Sequence, residues 1–178
     1  VEINPQELEA RHTTWKEYSL IESSPIEAFR SEMTWKQFDE KANRFANFLL
    51  TRNIKCGDKV AILLMNSLEW LPVYFGVLRT GAMAVPLNYR YTAEEIRYCL
   101  DLSDAGLLVF GREFVGRVDE IKEQIPKVQK LFYVGGHCPE WAQSYYQLIS
   151  YCSSIAPSIY ITDDDDGAIY FSSGTTGF

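Results

Sequence analysis

Val60-Ala61-Ile62-Leu63-Leu64-Met65 is apolar at every position and follows directly on the turn Cys56-Gly57-Asp58-Lys59. A strand with one face in water alternates apolar and polar side chains. A run without alternation marks a strand covered on both faces, as in a parallel sheet. Working outward, the upstream segment is a helix over roughly 35 to 52. Thr34 with Gln37 forms a capping box, Met33 and Phe38 stand at the staple positions, and Trp35, Phe38, Ala42, Phe45 and Leu49 repeat at three and four. Asn53 is expected to end it in the left-handed conformation. Downstream, Ser67 is read as the cap of a helix running to Arg79 and closed by Gly81, with Pro72 kinking it or resetting its start. That helix is apolar nearly all round and is expected to be central.

The alternation continues to the end of the chain. Met83 to Val85 is a strand stopped by Pro86. Thr92 with Glu95, flanked by Tyr91 and Ile96, opens a helix to about Leu102. Leu107 to Phe110 is the next buried strand. Glu113 to Gln124 is a helix with Phe114, Val118, Ile121 and Ile125 on one side. Val128 to Val134 is a strand ended by Gly135-Gly136, and Trp141 to Ser150 is a helix. Strand and helix in turn imply right-handed crossovers, hence an α/β fold with a mostly parallel sheet flanked by helices on both faces. The first thirty residues are less informative. Gln6 to Leu20 carries Leu8, Trp15 and Leu20 in a weak helical pattern, and Ile26 to Phe29 and Glu32 to Thr34 read as short strands. The loop Tyr151 to Thr162, with Pro157, divides an α/β subdomain (residues 1–160) from a closing segment (161–178) that begins another subdomain.

The totals bound the function. Among 178 residues, 47% are hydrophobic and 23% charged, which fits one globular domain with a sizeable core. Net charge is −7, from 17 Lys+Arg against 24 Asp+Glu, a balance that argues against nucleic acid or an anionic membrane as main partner. The longest apolar stretch, Leu71 to Leu78, is far below the ~20 residues of a membrane span. The start Val1-Glu2-Ile3-Asn4-Pro5 lacks a signal-peptide pattern. Cys56, Cys99, Cys138 and Cys152 show no C-x-x-C pair and no metal spacing, which suits free thiols in a reducing cytoplasm.

Chemistry concentrates at Ala168-Ile169-Tyr170-Phe171-Ser172-Ser173-Gly174-Thr175-Thr176-Gly177-Phe178. Ala168 to Phe171 reads as a buried strand. It empties into a loop of Ser, Thr and Gly that can turn tightly, expose backbone N–H groups and surround an anion with hydroxyls. By composition alone the same loop could be a flexible linker. It is not a P-loop, because Phe178 stands where G-x-x-x-x-G-K-[ST] needs Lys.

Tyr170 to Gly177 resembles the phosphate-binding signature of the AMP-forming adenylate synthetases, the superfamily of acyl-CoA synthetases, peptide-synthetase adenylation domains and beetle luciferases. Met33 to Phe38, Gly57 to Ile62 and Leu78 to Asn88 are similar to further blocks of that family, in its order. Asn88 to Thr92 is closer to the acyl-CoA synthetase spelling than to the amino-acid-activating one. The resemblance implies the N-terminal subdomain of the adenylate-forming fold, with Ser172, Ser173, Gly174, Thr175, Thr176 and Gly177 closing over the phosphates of ATP. It implies ATP, Mg²⁺ and CoA for the parent enzyme, and a small carboxylate that attacks the α-phosphorus without a general base. In the family one residue after the glycine precedes Pro-Lys, and Phe178 occupies that residue. The loop lysine, acyl pocket and mobile C-terminal domain are therefore expected downstream. The chain is expected to be an N-terminal fragment with no catalytic residue of its own, inactive alone. Two other readings stay open: an amino-acid-activating domain, and a non-catalytic anion-binding module.

Other candidates read as structural. Asp163 to Asp166 lack calcium-loop spacing and suit a solvated loop, so no metal site is expected. His12 and His137 lack partner patterns. Trp35, Trp70 and Trp141 are expected in the core. Arg90, between Tyr89 and Tyr91, suits a cation against an aromatic face better than a contact to CoA phosphate.

Overall fold

The computed structural model describes residues 2–3 and 30–172. Expectations for Gln6 to Leu20, Ile26 to Phe29 and His12 lie outside the described residues. A two-residue antiparallel pair, β1 (Glu2–Ile3) with β2 (Arg30–Ser31), precedes the main body. Strand β2 thus occupies the positions read as a connection, and Glu32 to Thr34 leads into the first helix as non-strand backbone.

The main body is a five-stranded, all-parallel sheet in the order β4-β3-β5-β6-β7. Its strands are β3 (Lys59–Leu63), β4 (Met83–Pro86), β5 (Leu107–Gly111), β6 (Lys130–Val134) and β7 (Gln143–Ser144). The helices are α1 (Trp35–Thr51), α2 (Trp70–Leu78), α3 (Ala93–Ser103), α4 (Val115–Ile121) and α5 (Tyr145–Ser150). Successive residues of β3 point to opposite cores. Val60, Ile62 and Leu64 pack with Phe45, Phe48 and Leu49 of α1, Val73 and Val77 of α2, and Tyr145 and Ile149 of α5. Ala61 and Leu63 pack with Ile96 and Leu100 of α3 and Val118 and Ile121 of α4. That is the doubly covered, three-layer arrangement which the unbroken apolar run implies.

The caps hold as read: both reciprocal bonds of the boxes Thr34/Gln37 and Thr92/Glu95 are present, and Asn53 has φ 61°. Several expectations are corrected. Helix α2 starts at Trp70 with Glu69 as N-cap and no side-chain bond, so Ser67 is not the cap. Pro72 falls in the first turn, where a missing N–H is free of cost, and this resets the helix start without a kink. Helix α2 is not central. Leu71 is 49% and Phe75 41% exposed, because α1 and the sheet cover one side only among the described residues. Trp35 is 84% exposed, since it occupies the first helical position, ahead of the turns that reach the sheet. The segment read as a helix from Trp141 divides. Trp141 stacks on Phe110 with centroids 5.5 Å apart, Gln143–Ser144 joins the sheet, and the Ser144 hydroxyl caps α5. The helix read over Glu113 to Gln124 is α4 flanked by 3₁₀ turns at Arg112–Phe114 and Lys122–Gln124, with the expected residues buried.

Candidate functional site

The segment after the 151–162 loop comes back to the sheet at the free edge of β4. Ala84 N–H donates to Gly167 O at 2.9 Å, and Ile169 N–H donates to Ala84 O at 2.9 Å, a parallel bridge at Ala168. Side chains then alternate. Ala168 packs on the α1/α2 core, whereas Ile169 and Phe171 pack on the core of α3 and α4. Tyr170 turns back toward α2, where its hydroxyl lies 2.8 Å from that of Tyr74. Burial, then the neighbouring Tyr170, push the Tyr74 phenol up to about 12. The expected buried strand is only partly realised: laddering stops at the bridge and Tyr170 is 67% exposed. Among the described residues no strand pairs with the outer edge of this segment.

Ser172 follows, exposed, at the carboxyl edge of the sheet. Of the six expected phosphate ligands it alone is described; Ser173, Gly174, Thr175, Thr176 and Gly177 lie outside the described residues. In parallel α/β sheets this edge is where ligands bind, because strand ends and helix N-termini converge there.

The exit loop of β4 reaches the same edge. Leu87 N–H donates to Ile62 O at 2.9 Å, and Asn88 closes a turn by accepting from Arg90 N–H at 3.0 Å. Arg117 Nη1 donates to Tyr89 O at 2.7 Å and Tyr91 O at 2.9 Å, pinning the turn to α4. Arg90 lies over the Tyr89 ring at 5.4 Å, the cation–aromatic arrangement read from the sequence, and no carboxylate pairs with it among the described residues. A crevice of about 380 Å³ opens where the chain order reverses, between β3 and β5. Asn66, Ser67, Arg112, Gly135 and Gly136 line it, and Arg112 is paired with Glu113 at 3.0 Å. Sequence reasoning took Gly135-Gly136 for a strand terminator only. Neighbouring strand order would have been needed to see the crevice.

Among the described residues no group of three or more His, Cys, Asp or Glu side chains could hold a metal ion. Asp163 to Asp166 form an exposed turn in which Asp165 accepts from Thr162 N–H at 2.6 Å. The described side chains do not fit a protein-held Mg²⁺.

Residues 15–178 match the model of the AMP-binding enzyme family. The chain belongs to this family. It is 31% identical over 157 residues to the medium/long-chain-fatty-acid–CoA/3-oxocholest-4-en-26-oate–CoA ligase of Mycobacterium marinum. The match takes in 83% of this chain and 28% of that protein, so the chain spans under a third of its relative's length. Among solved structures, the anthranilate CoA ligase AuaEII in complex with anthranoyl-AMP superposes with a TM-score of 0.79 at 28% identity, over 83% of this chain and 28% of that one. The N-terminal domain of FACL13 from Mycobacterium tuberculosis superposes with a TM-score of 0.75 at 28% identity, over 85% of this chain and 37% of that one. The parallel α/β body is thus the architecture of the N-terminal subdomain of AMP-binding enzymes. No described helix is long and apolar enough to cross a membrane.

Proposed function

We propose that this chain is the N-terminal portion of an AMP-forming acid–thiol ligase. A substrate carboxylate attacks the α-phosphorus of ATP, forming an acyl-adenylate and releasing pyrophosphate. The CoA thiol then displaces AMP to give the thioester. The single observation that carries the reading is the family match reaching 178, with the segment entering Ser172–Gly177 delivered to the carboxyl edge of the sheet.

In this reading Ser172, Ser173, Thr175 and Thr176 donate to phosphate oxygens, and Gly174 and Gly177 let the backbone approach them. Preorganised donors are the main resource for such chemistry, since the carboxylate is already ionised and needs no base. Mg²⁺ enters with ATP. CoA-ligase relatives support a carboxylic acid activated for CoA, and the exposed turn at Asn88 to Arg90 offers a cation beside the site. We place the reaction in the cytoplasm, where ATP and CoA are available and the four thiols, all free here, stay reduced. Residues 161–178 are assigned to the start of the next subdomain. With only 28% of its relative's length, the chain on its own is held to be inactive.

Pyrophosphate exchange by the longer protein, run against fatty, aromatic and amino acids, tests the reading. Exchange with fatty or aromatic acids that needs CoA only for the second step supports it. Exchange with amino acids alone favours the amino-acid-activating reading, and none at all favours a binding module. Hydroxamate formation by the 178 residues alone would overturn the inactivity.

A further inference from the structure

A second cleft, of about 510 Å³, lies at the opposite, amino-terminal edge of the sheet. Arg52 and Lys55 reach it from the turn after α1, Lys59 from the start of β3 and Lys130 from the start of β6. Ile54 and Leu107 give it an apolar floor. Its two acids have partners of their own, although the Lys59 charge also acts on the Asp104 carboxyl. Asp58 Oδ2 accepts from the Lys55 backbone N–H at 2.7 Å. Asp104 lies 2.6 Å from Lys127 Nζ, outside the cleft, and Lys127 also reaches Asp101 at 2.9 Å. Among the described residues none of the four cations forms an ion pair; Arg52 lies over the Phe48 ring at 5.1 Å.

On a chain with net charge −7, unpaired cations would be expected scattered over the surface. Their convergence on one concavity focuses positive potential there, the arrangement that concentrates small anions. The volume falls within the range of small-molecule sites, about 300–1,000 Å³. We infer that this cleft binds a small phosphorylated ligand, its phosphate group between Lys59 and Lys130 and its less polar part against Ile54 and Leu107. The site is separate from Ser172, at the other end of the strands, and does not depend on the adenylation reading.

Titration calorimetry with inorganic pyrophosphate as the probe tests this, using the protein and its Ser172→Ala variant. A saturable site that survives Ser172→Ala is expected. It should weaken roughly tenfold or more in Lys55→Gln/Lys130→Gln, through loss of charge-assisted bonds. Both of those side chains are exposed, so the fold should survive the double change. Lys59→Gln, a half-buried position, is read alongside circular dichroism and should weaken the same site. Undiminished binding in the double variant overturns the inference, as does binding lost only in Ser172→Ala. Binding of poly-glutamate with none of pyrophosphate also overturns it, in favour of an acidic macromolecule.

Discussion

At the scale of single residues, Gly76 and Cys99 show how packing decides chemistry. Gly76 sits inside α2 where that helix crosses α1. A Cβ there would lie 2.8 Å from Phe45 Cδ1 and 3.0 Å from the Ala42 carbonyl oxygen. Alanine improves helix propensity by about 1 kcal/mol, whereas overpacking costs about 1–3 kcal/mol. The backbone oxygen cannot yield as a flexible side chain would, so the clash wins. Gly76→Ala should therefore lose up to about 2 kcal/mol, read as a lower midpoint in urea. Cys99 is buried beside Tyr91, and burial, then the Glu95 charge, push its thiol up from an ordinary 9.0 to about 11. As pH rises through that window the unfolded chain loses the proton first. Stability from this group is thus complete below about pH 9 and declines toward 11. Cys99→Ala should flatten that alkaline decline in thermal melts. In the native protein at mildly alkaline pH, iodoacetamide should label exposed Cys56 first and Cys99 last, which peptide mass spectrometry reads directly.

At the scale of elements, the helix starts were the most legible features. Thr34 and Thr92 each satisfy an orphan N–H, and the third residue of each helix reciprocates, so the local sequence holds both partners of the bond. Thr34→Ala and Thr92→Ala should each cost about 1 kcal/mol, additively because the caps are on different helices. Thermal denaturation of the two single variants and the double checks this. The start of helix α2 is not legible locally: Ser67 is a favoured cap by residue type, yet the helix begins at Trp70 with Pro72 in its first turn and no side-chain capping bond. Trp141 packs against the core as expected but from a turn rather than a helix, because its stacking partner, Phe110 of β5, lies far away in the sequence. The closing segment was half legible: Ala168 to Phe171 was recognised as strand-like, but its exposure depends on which neighbours flank it.

At the scale of the whole molecule, helix α1 ties the body to the chain that leads to Ser172. Asn43 Nδ2 donates to Ser154 O at 2.9 Å, and Asn47 Nδ2 donates to Ser153 O and Ile155 O, both at 2.8 Å. Arg44 donates to Cys152 O. Arg79 of the turn after α2 pairs with Asp39 at 2.7 Å and also donates to Asn43, so α1, α2 and this chain form one network. Asn43 is buried, and removing it leaves other groups unsatisfied at about 1–3 kcal/mol. Half-buried Asn47 bonds only carbonyls of the exposed residues Ser153 and Ile155, which water can take over. Asn47→Ala should therefore keep the fold while speeding proteolytic cleavage between 151 and 162. Unchanged cleavage would show that Arg44 and Asn43 suffice.

The sequence by itself determined the parallel α/β body, because unbroken apolar runs and reciprocal caps are local patterns tied to burial and hydrogen bonding. It also marked Ser172–Gly177 as the chemical stretch, because hydroxyls and glycines are rare in such density after a strand. Only the tertiary structure decided the strand order and, with it, the crevice between β3 and β5. Only it joined Ala168 to Ala84, and only it drew Arg52, Lys55, Lys59 and Lys130 around one cleft. Those facts join residues far apart in the chain, and their energies depend on neighbours that no local window contains.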